Sequence, residues 1–130
     1  MKKLTLLLLL MVSTSVFADW NEVTRSSDGD QTVYVDSDSI KKKGNKFTMW
    51  SLLDFKTVQK FENDRFLSQM MREEYDCQEE TQRLLDLYLY SGNMRGGGIV
   101  YSETNIKMEA ASTLPGSIGE TSLNRVCGKK

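Results

Sequence analysis

The side chains that carry most protein chemistry are sparse in this chain. Its 130 residues include no histidine, which removes the commonest general base and the commonest transition-metal ligand together. Its two cysteines, Cys77 and Cys127, lie far outside the Cys-x-x-Cys spacing of a redox site. Carboxylates crowd at Glu73, Glu74, Asp76, Glu79 and Glu80. A glycosidase uses two such acids, one buried enough to stay protonated, but this group flanks a strand junction, where a solvated rim is expected. Asp28-Gly-Asp30 and Asp36-Ser-Asp38 hint at calcium, yet neither completes the spaced loop with a terminal bidentate glutamate. With both thiols in a disulfide, zinc would have to be held by carboxylates alone. There is no Gly-x-Ser-x-Gly elbow and no phosphate-binding loop, and Gly96-Gly-Gly98 reads as a turn between strands. The expectation is a non-enzymatic protein with no catalytic residue, no cofactor and no metal.

Binding chemistry is better supplied. Lys41, Lys42, Lys43 and Lys46 form the one local charge run. Lysines at a turn deter edge-to-edge strand pairing, and they also offer an electrostatic contact to an acidic protein or glycan. They are the candidate partner-binding residues. Trp50, Tyr88 and Tyr90 are expected in the core or on a sheet face rather than in a ligand cage.

The chain opens with Lys2-Lys3, an apolar run and the small-residue stretch Ser13 to Ala18, with Val16 and Ala18 where a signal peptidase reads. Residues 1–18 are therefore expected to be a secretory signal peptide, and residues 19–130 one domain. The apolar run is shorter than the roughly 20 residues of a spanning helix. The absence of a cysteine at the cleavage site predicts no lipoprotein anchor. Without Lys2 and Lys3 the balance is 15 Lys+Arg against 18 Asp+Glu, a net of −3. A mildly acidic domain of this kind is not expected to bind nucleic acid. In an exported chain two cysteines most simply form one disulfide, which here would close a loop worth about 4 kcal/mol in the chain-entropy model.

Those residues need elements to hold them. Trp20–Arg25 and Gln31–Asp36 alternate large and polar residues and read as a hairpin around Gly29. Asp36 to Ile40 bears residues that bond their own backbone and predicts a helical turn. Lys46–Phe55 is a strand with apolar groups on both faces, hence central, and Lys56 to Asp64 an exposed connection. Leu67 to Ser91 forms the spine, two long strands with Cys77 in the middle, so that a disulfide there would reach the centre of the sheet. Ile99–Ser102 is a short edge strand, and Thr104 to Ala111 adds at most a weak one. Ser117 and Glu120 make a capping box ahead of a short helix whose Leu123, Val126 and Cys127 share one face, with Gly128 at its end. The sum is an α+β fold: an antiparallel sheet of about six strands with one C-terminal helix stapled to it. An open sheet edge would allow a homodimer, though no residue pattern supports one.

Taken in order, Trp20, Val33-Tyr-Val-Asp36 with Ser39-Ile40, Met49-Trp50 with Asp54-Phe-Lys56, Glu74-Tyr-Asp-Cys77, Gly96 to Val100, Pro115-Gly-Ser117 and Val126-Cys127 resemble the bacterial surface-adhesin protein E family. The resemblance covers nearly all of residues 19–130. It implies an antiparallel sheet, a C-terminal helix, a Cys77–Cys127 disulfide and attachment to host extracellular-matrix protein. The functional expectation is an exported Gram-negative envelope protein that binds a macromolecule, in the periplasm, secreted or at the cell surface. Its rival is a soluble periplasmic domain of structural or small-ligand role, with a pocket under the helix.

Overall fold

The computed structural model describes residues 19–128, so the expected signal peptide lies outside the described residues. Seven strands, β1 (Trp20–Arg25), β2 (Gln31–Lys43), β3 (Lys46–Phe61), β4 (Asp64–Asp76), β5 (Thr81–Tyr90), β6 (Ile99–Glu103) and β7 (Ala111–Ser112), precede one helix, α1 (Ile118–Cys127). All strand pairs are antiparallel, and β1 to β6 are neighbours in chain order. The two-residue β7 joins the start of β5, on Thr81 and Gln82. A meander of this kind needs only tight turns between strands. Gly44, at φ +63, supplies one, between Lys43 and Lys46.

Three local expectations are corrected. Asp36 to Ile40 is not a helical turn: β2 runs through it, and the ladder breaks at Asp36 opposite Trp50 and resumes at Lys41 opposite Thr48. The turn-forming side chains act inside that bulge. Ser39 Oγ donates to the Asp36 carbonyl at 2.6 Å and accepts from Trp50 N at 2.9 Å, and Asp38 N donates to Asp36 Oδ1 at 3.1 Å. Lys56 to Asp64 is not a connection either. After an irregularity tied to Asp30, β3 continues to Phe61 and pairs with β4 down to Asp64. The polar composition there reflects a hairpin that outruns the core.

The third correction concerns Cys77. It lies just past β4 in the turn to β5, at the end of the sheet rather than its centre. Its bond to Cys127 spans a Cα–Cα distance of 5.7 Å. That turn leans on the lysine-bearing one: Cys77 N donates to the Asn45 carbonyl at 3.3 Å, and Asn45 Nδ2 to Gln78 Oε1 at 2.9 Å.

Side chains alternate between faces, and α1 covers one face only. Leu123 and Val126 bury against Val35, Met49 and Tyr75, while Phe55, Phe66 and Leu89 form a second cluster. Ser117 caps the helix, its Oγ accepting from Glu120 N at 3.2 Å. Glu120 Oε1 accepts from Gly116 N at 3.3 Å rather than from Ser117, so the box closes one residue early. Gly119 permits close approach to β5, because a Cβ there would stand 2.5 Å from Gln82 Nε2. Gly128 ends the helix at φ +70.

Candidate functional site

The face opposite α1 is built by one row of cross-strand partners. Trp20 of β1 stands opposite Asp36 of β2, Asp36 opposite Trp50 of β3, Trp50 opposite Arg72 of β4, and Arg72 opposite Asp86 of β5. Tyr34, Leu52, Met70 and Tyr88 form the next row along the same face. Leu52 is fully buried, whereas Trp20, Tyr34, Trp50, Met70 and Tyr88 stay half-exposed. Aromatic side chains thus line a sheet surface that α1 leaves uncovered, with the short 3-10 turn Asn93–Arg95 over its Asp54 and Ser68 end.

Charge is arranged around the rings. Arg72 Nε meets Asp86 Oδ2 at 2.5 Å, and its guanidinium carbon lies 5.9 Å from the centre of the Trp50 ring. Asp86 is almost fully buried, and its second oxygen accepts from Asn105 N at 3.0 Å. Trp50 and Tyr88 lean together with ring centres 6.1 Å apart. Two shallow hollows flank Trp50. One, of about 280 Å³, holds Lys41, Arg72 and Tyr88; the other, of about 260 Å³, holds Trp20, Asp36, Met70 and Arg95.

Arg95 is delivered by the loop after β5. Met94 and Arg95 both adopt left-handed backbone, at φ 51 and 62. Such residues hold this conformation only where the surroundings enforce it. Here Ser68, fully buried, donates to the Gly92 carbonyl at 2.7 Å and accepts from Arg95 N at 3.0 Å. Asp54 Oδ1 accepts from Met94 N at 2.8 Å. The guanidinium then rests 5.7 Å from the Tyr90 ring centre.

The lysine run does not form one patch. Lys41 faces the aromatic surface, Lys42 lies on the helix side with its Nζ 5.8 Å from the Phe47 ring centre, and Lys43 and Lys46 pair at the turn. Lys46 reaches Glu74 at 3.9 Å.

The carboxylates are also dispersed, which corrects their reading as one solvated rim. Glu73 and Glu74 are strand neighbours and so point to opposite faces. Glu74 pairs with Arg83 at 2.8 Å on the open side. Asp76 Oδ1 accepts from the backbone of Gln78 and Glu79 at 3.0 Å, fixing the turn. Only Glu79 and Glu80 are exposed. Glu73 is half-buried beneath α1, and burial lifts its carboxyl above the ordinary range despite bonds from Ser51 and Tyr75. The buried Tyr75 phenol is pushed well up, by burial first and then by the Glu73 charge. No opposed acid pair of the glycosidase kind results.

Under α1 the apolar side chains fill the space. A hollow of about 190 Å³ at the start of the helix, beside Thr24, Gln31 and Val33, is smaller than common ligand pockets of roughly 300–1,000 Å³. Among the described residues no group of three or more metal-ligating side chains gathers, and no helix is long and apolar enough to cross a membrane.

Sequence reasoning missed Arg72, Asp86 and Arg95. Period-two spacing was the available signal for Asp86, two residues before Tyr88, and for Arg72, two after Met70; Arg95, in the loop after β5, gave none. That signal needs the strand register, which the sequence does not display.

Known proteins resemble this chain as follows. No curated protein matches it. The surface-adhesin protein E family model matches residues 20–128. Crystal form II of Haemophilus influenzae protein E superposes with a TM-score of 0.64 at 13% identity, covering 88% of this chain and 91% of that one. Protein E from non-typeable Haemophilus influenzae gives 0.63 at 12% identity, covering 88% and 79%. Identities this low show a common fold. The family match over nearly the whole described chain shows more: this chain belongs to the surface-adhesin protein E family.

Proposed function

We propose that this protein is an exported, non-enzymatic adhesin that holds a macromolecular partner, of the host extracellular-matrix class, against the open face of its sheet. Residues 1–18 direct export, and the mature chain begins at Asp19. Family membership supports adhesion. The observation that carries the location is the half-exposed row of Trp20 and Trp50, flanked by Arg72, Arg95 and Lys41, on a face the helix leaves bare. Half-desolvated aromatic and arginine side chains of this kind are typical anchors of binding surfaces. Of the four candidate lysines, Lys41 is the one that borders this row. The filled space under α1 gives no support to a small-ligand pocket there.

The test is binding of the mature protein to immobilised matrix proteins across salt concentrations. Trp50→Ala should weaken binding at least tenfold, and Lys41→Ser should weaken it and flatten its salt dependence. Lys42→Ser removes the same charge from the other face and should leave both unchanged. Equal effects of the two lysine variants would place the contact elsewhere. Protease digestion of the protein on intact cells is the expected result for a surface adhesin; protection until the outer membrane is permeabilised would return it to the periplasm.

A further inference from the structure

The row across the open face has a repeat. Trp20 and Trp50 sit on β1 and β3, two strands apart, and strands lie about 4.7–4.9 Å from their neighbours, so the backbone positions that carry the two indoles recur at roughly 10 Å. That interval is close to the advance of two sugars along an extended β-linked chain. Between and beyond the rings lie groups that can hydrogen-bond hydroxyls: Asp36 between Trp20 and Trp50, then the Arg72 guanidinium, held from behind by the buried Asp86. Flat rings alternating with paired polar side chains match a pyranose, whose faces present C–H groups and whose rim presents hydroxyls. An extended peptide would instead be expected along a strand edge, where backbone donors and acceptors are free. The row runs perpendicular to the strands and offers no backbone groups.

The charge on this face narrows the sugar. Four ion pairs form among the described residues, and neither Lys41 nor Arg95 takes part in one. The carboxylates that share their hollows are otherwise engaged: Asp86 with Arg72 and the Asn105 amide, and Asp36 Oδ1 with the Asp38 amide. Arg72 offsets the Asp86 charge, which leaves Lys41 the unpaired cation of one hollow beside Trp50, while Arg95 shares the other with the Asp36 carboxylate. The buried hydroxyl of Ser68 and the carboxylate of Asp54 hold the backbone of the loop that carries Arg95 to this face.

We infer that this row seats an acidic glycan chain with a carboxylate on alternate sugars, laid across the strands with sugars stacked on Trp20 and Trp50 and carboxylates on Lys41 and Arg95. This rests on the open face being the binding surface, and it names the part of a matrix glycoprotein or proteoglycan that the face grips.

The experiment titrates the mature protein with a hyaluronan octasaccharide, followed by tryptophan fluorescence and calorimetry. A neutral chito-oligosaccharide of equal length and a polyglutamate peptide serve as comparisons. The hyaluronan probe should bind, and Trp50→Ala should cost at least tenfold, while Trp50→Phe, which keeps a ring, should recover part of the loss. Arg95→Ser and Lys41→Ser should each cost severalfold and reduce the salt dependence, and the neutral oligosaccharide should bind weakly and independently of salt. Equal binding of polyglutamate would overturn the inference, because charge alone would then suffice. So would equal binding of the neutral chain, or no binding of hyaluronan. Matrix-protein binding that depends on Trp50 but survives enzymatic removal of the partner's glycans would overturn the glycan and leave the face standing. Matrix-protein binding indifferent to Trp50→Ala would remove the face itself.

Discussion

Glu73 is a carboxylate beneath a helix, offered one long hydrogen bond from Ser51 at 3.5 Å and the phenol of Tyr75. Burial disfavours its charged form, so its folded pKa lies above the unfolded one, which is about 4.3 for a glutamate. The folded state thus keeps its proton over a pH window in which the unfolded chain has already released it. Stability attributable to this group falls as pH rises from the unfolded pKa through the folded one, and is level above. Glu73→Gln keeps the shape and a hydrogen-bonding side chain without the charge. It should raise the urea midpoint near neutral pH and leave it unchanged in acid, below the unfolded pKa; equal midpoints at both would show that the carboxylate costs nothing there. The contrast with Glu74, salt-bridged on the opposite face, was not legible while the two counted as members of one acidic run. Alternation along β4 separates them, and only the position of α1 decides which of the two is buried.

The elements were the most legible part of the chain. Period-two spacing in Leu84 to Tyr90 marked β5, and Ser117 with Glu120 marked the start of α1, because a capped helix announces itself in local chemistry. The bulge in β2 was not legible, since Asp36, Ser37, Asp38 and Ser39 bond their own backbone equally well in a turn or inside a strand. The end of β3 was hidden because a hairpin that outruns its core has no apolar face to alternate. A helix the length of α1 is marginal in isolation, so its docking depends on Leu123, Val126 and the Cys77–Cys127 bond. Replacing both cysteines by serine should cost about 4 kcal/mol in the chain-entropy model, out of the roughly 5–15 kcal/mol typical of a domain. Hydrogen exchange should show Leu123 to Cys127 losing protection before the strands. Simultaneous loss throughout the sheet would instead make the helix part of one cooperative unit.

At the scale of the molecule, the helix-covered core and the proposed binding face lie on opposite sides of one sheet. The helix side holds the fully buried Val35, Met49, Tyr75 and Leu123, whose removal leaves a cavity. On the open side Leu52 is sealed, but Trp50 and Tyr88 keep contact with water, and truncating them removes surface rather than opening a void. This division was half legible: Lys46–Phe55 shows apolar residues on both faces, yet nothing in the sequence says which face one short helix will take. Leu123→Ala should therefore cost about 2–5 kcal/mol with little change in partner affinity once folding is complete. Trp50→Ala should cost less than about 2 kcal/mol, in the range of ordinary point substitutions, while removing most of the affinity. Urea unfolding and partner binding measured on the same two variants give four numbers. If both variants lose stability and affinity in proportion, the open face is an extension of the core, and its exposed aromatics reflect incomplete coverage rather than a surface kept free for a partner.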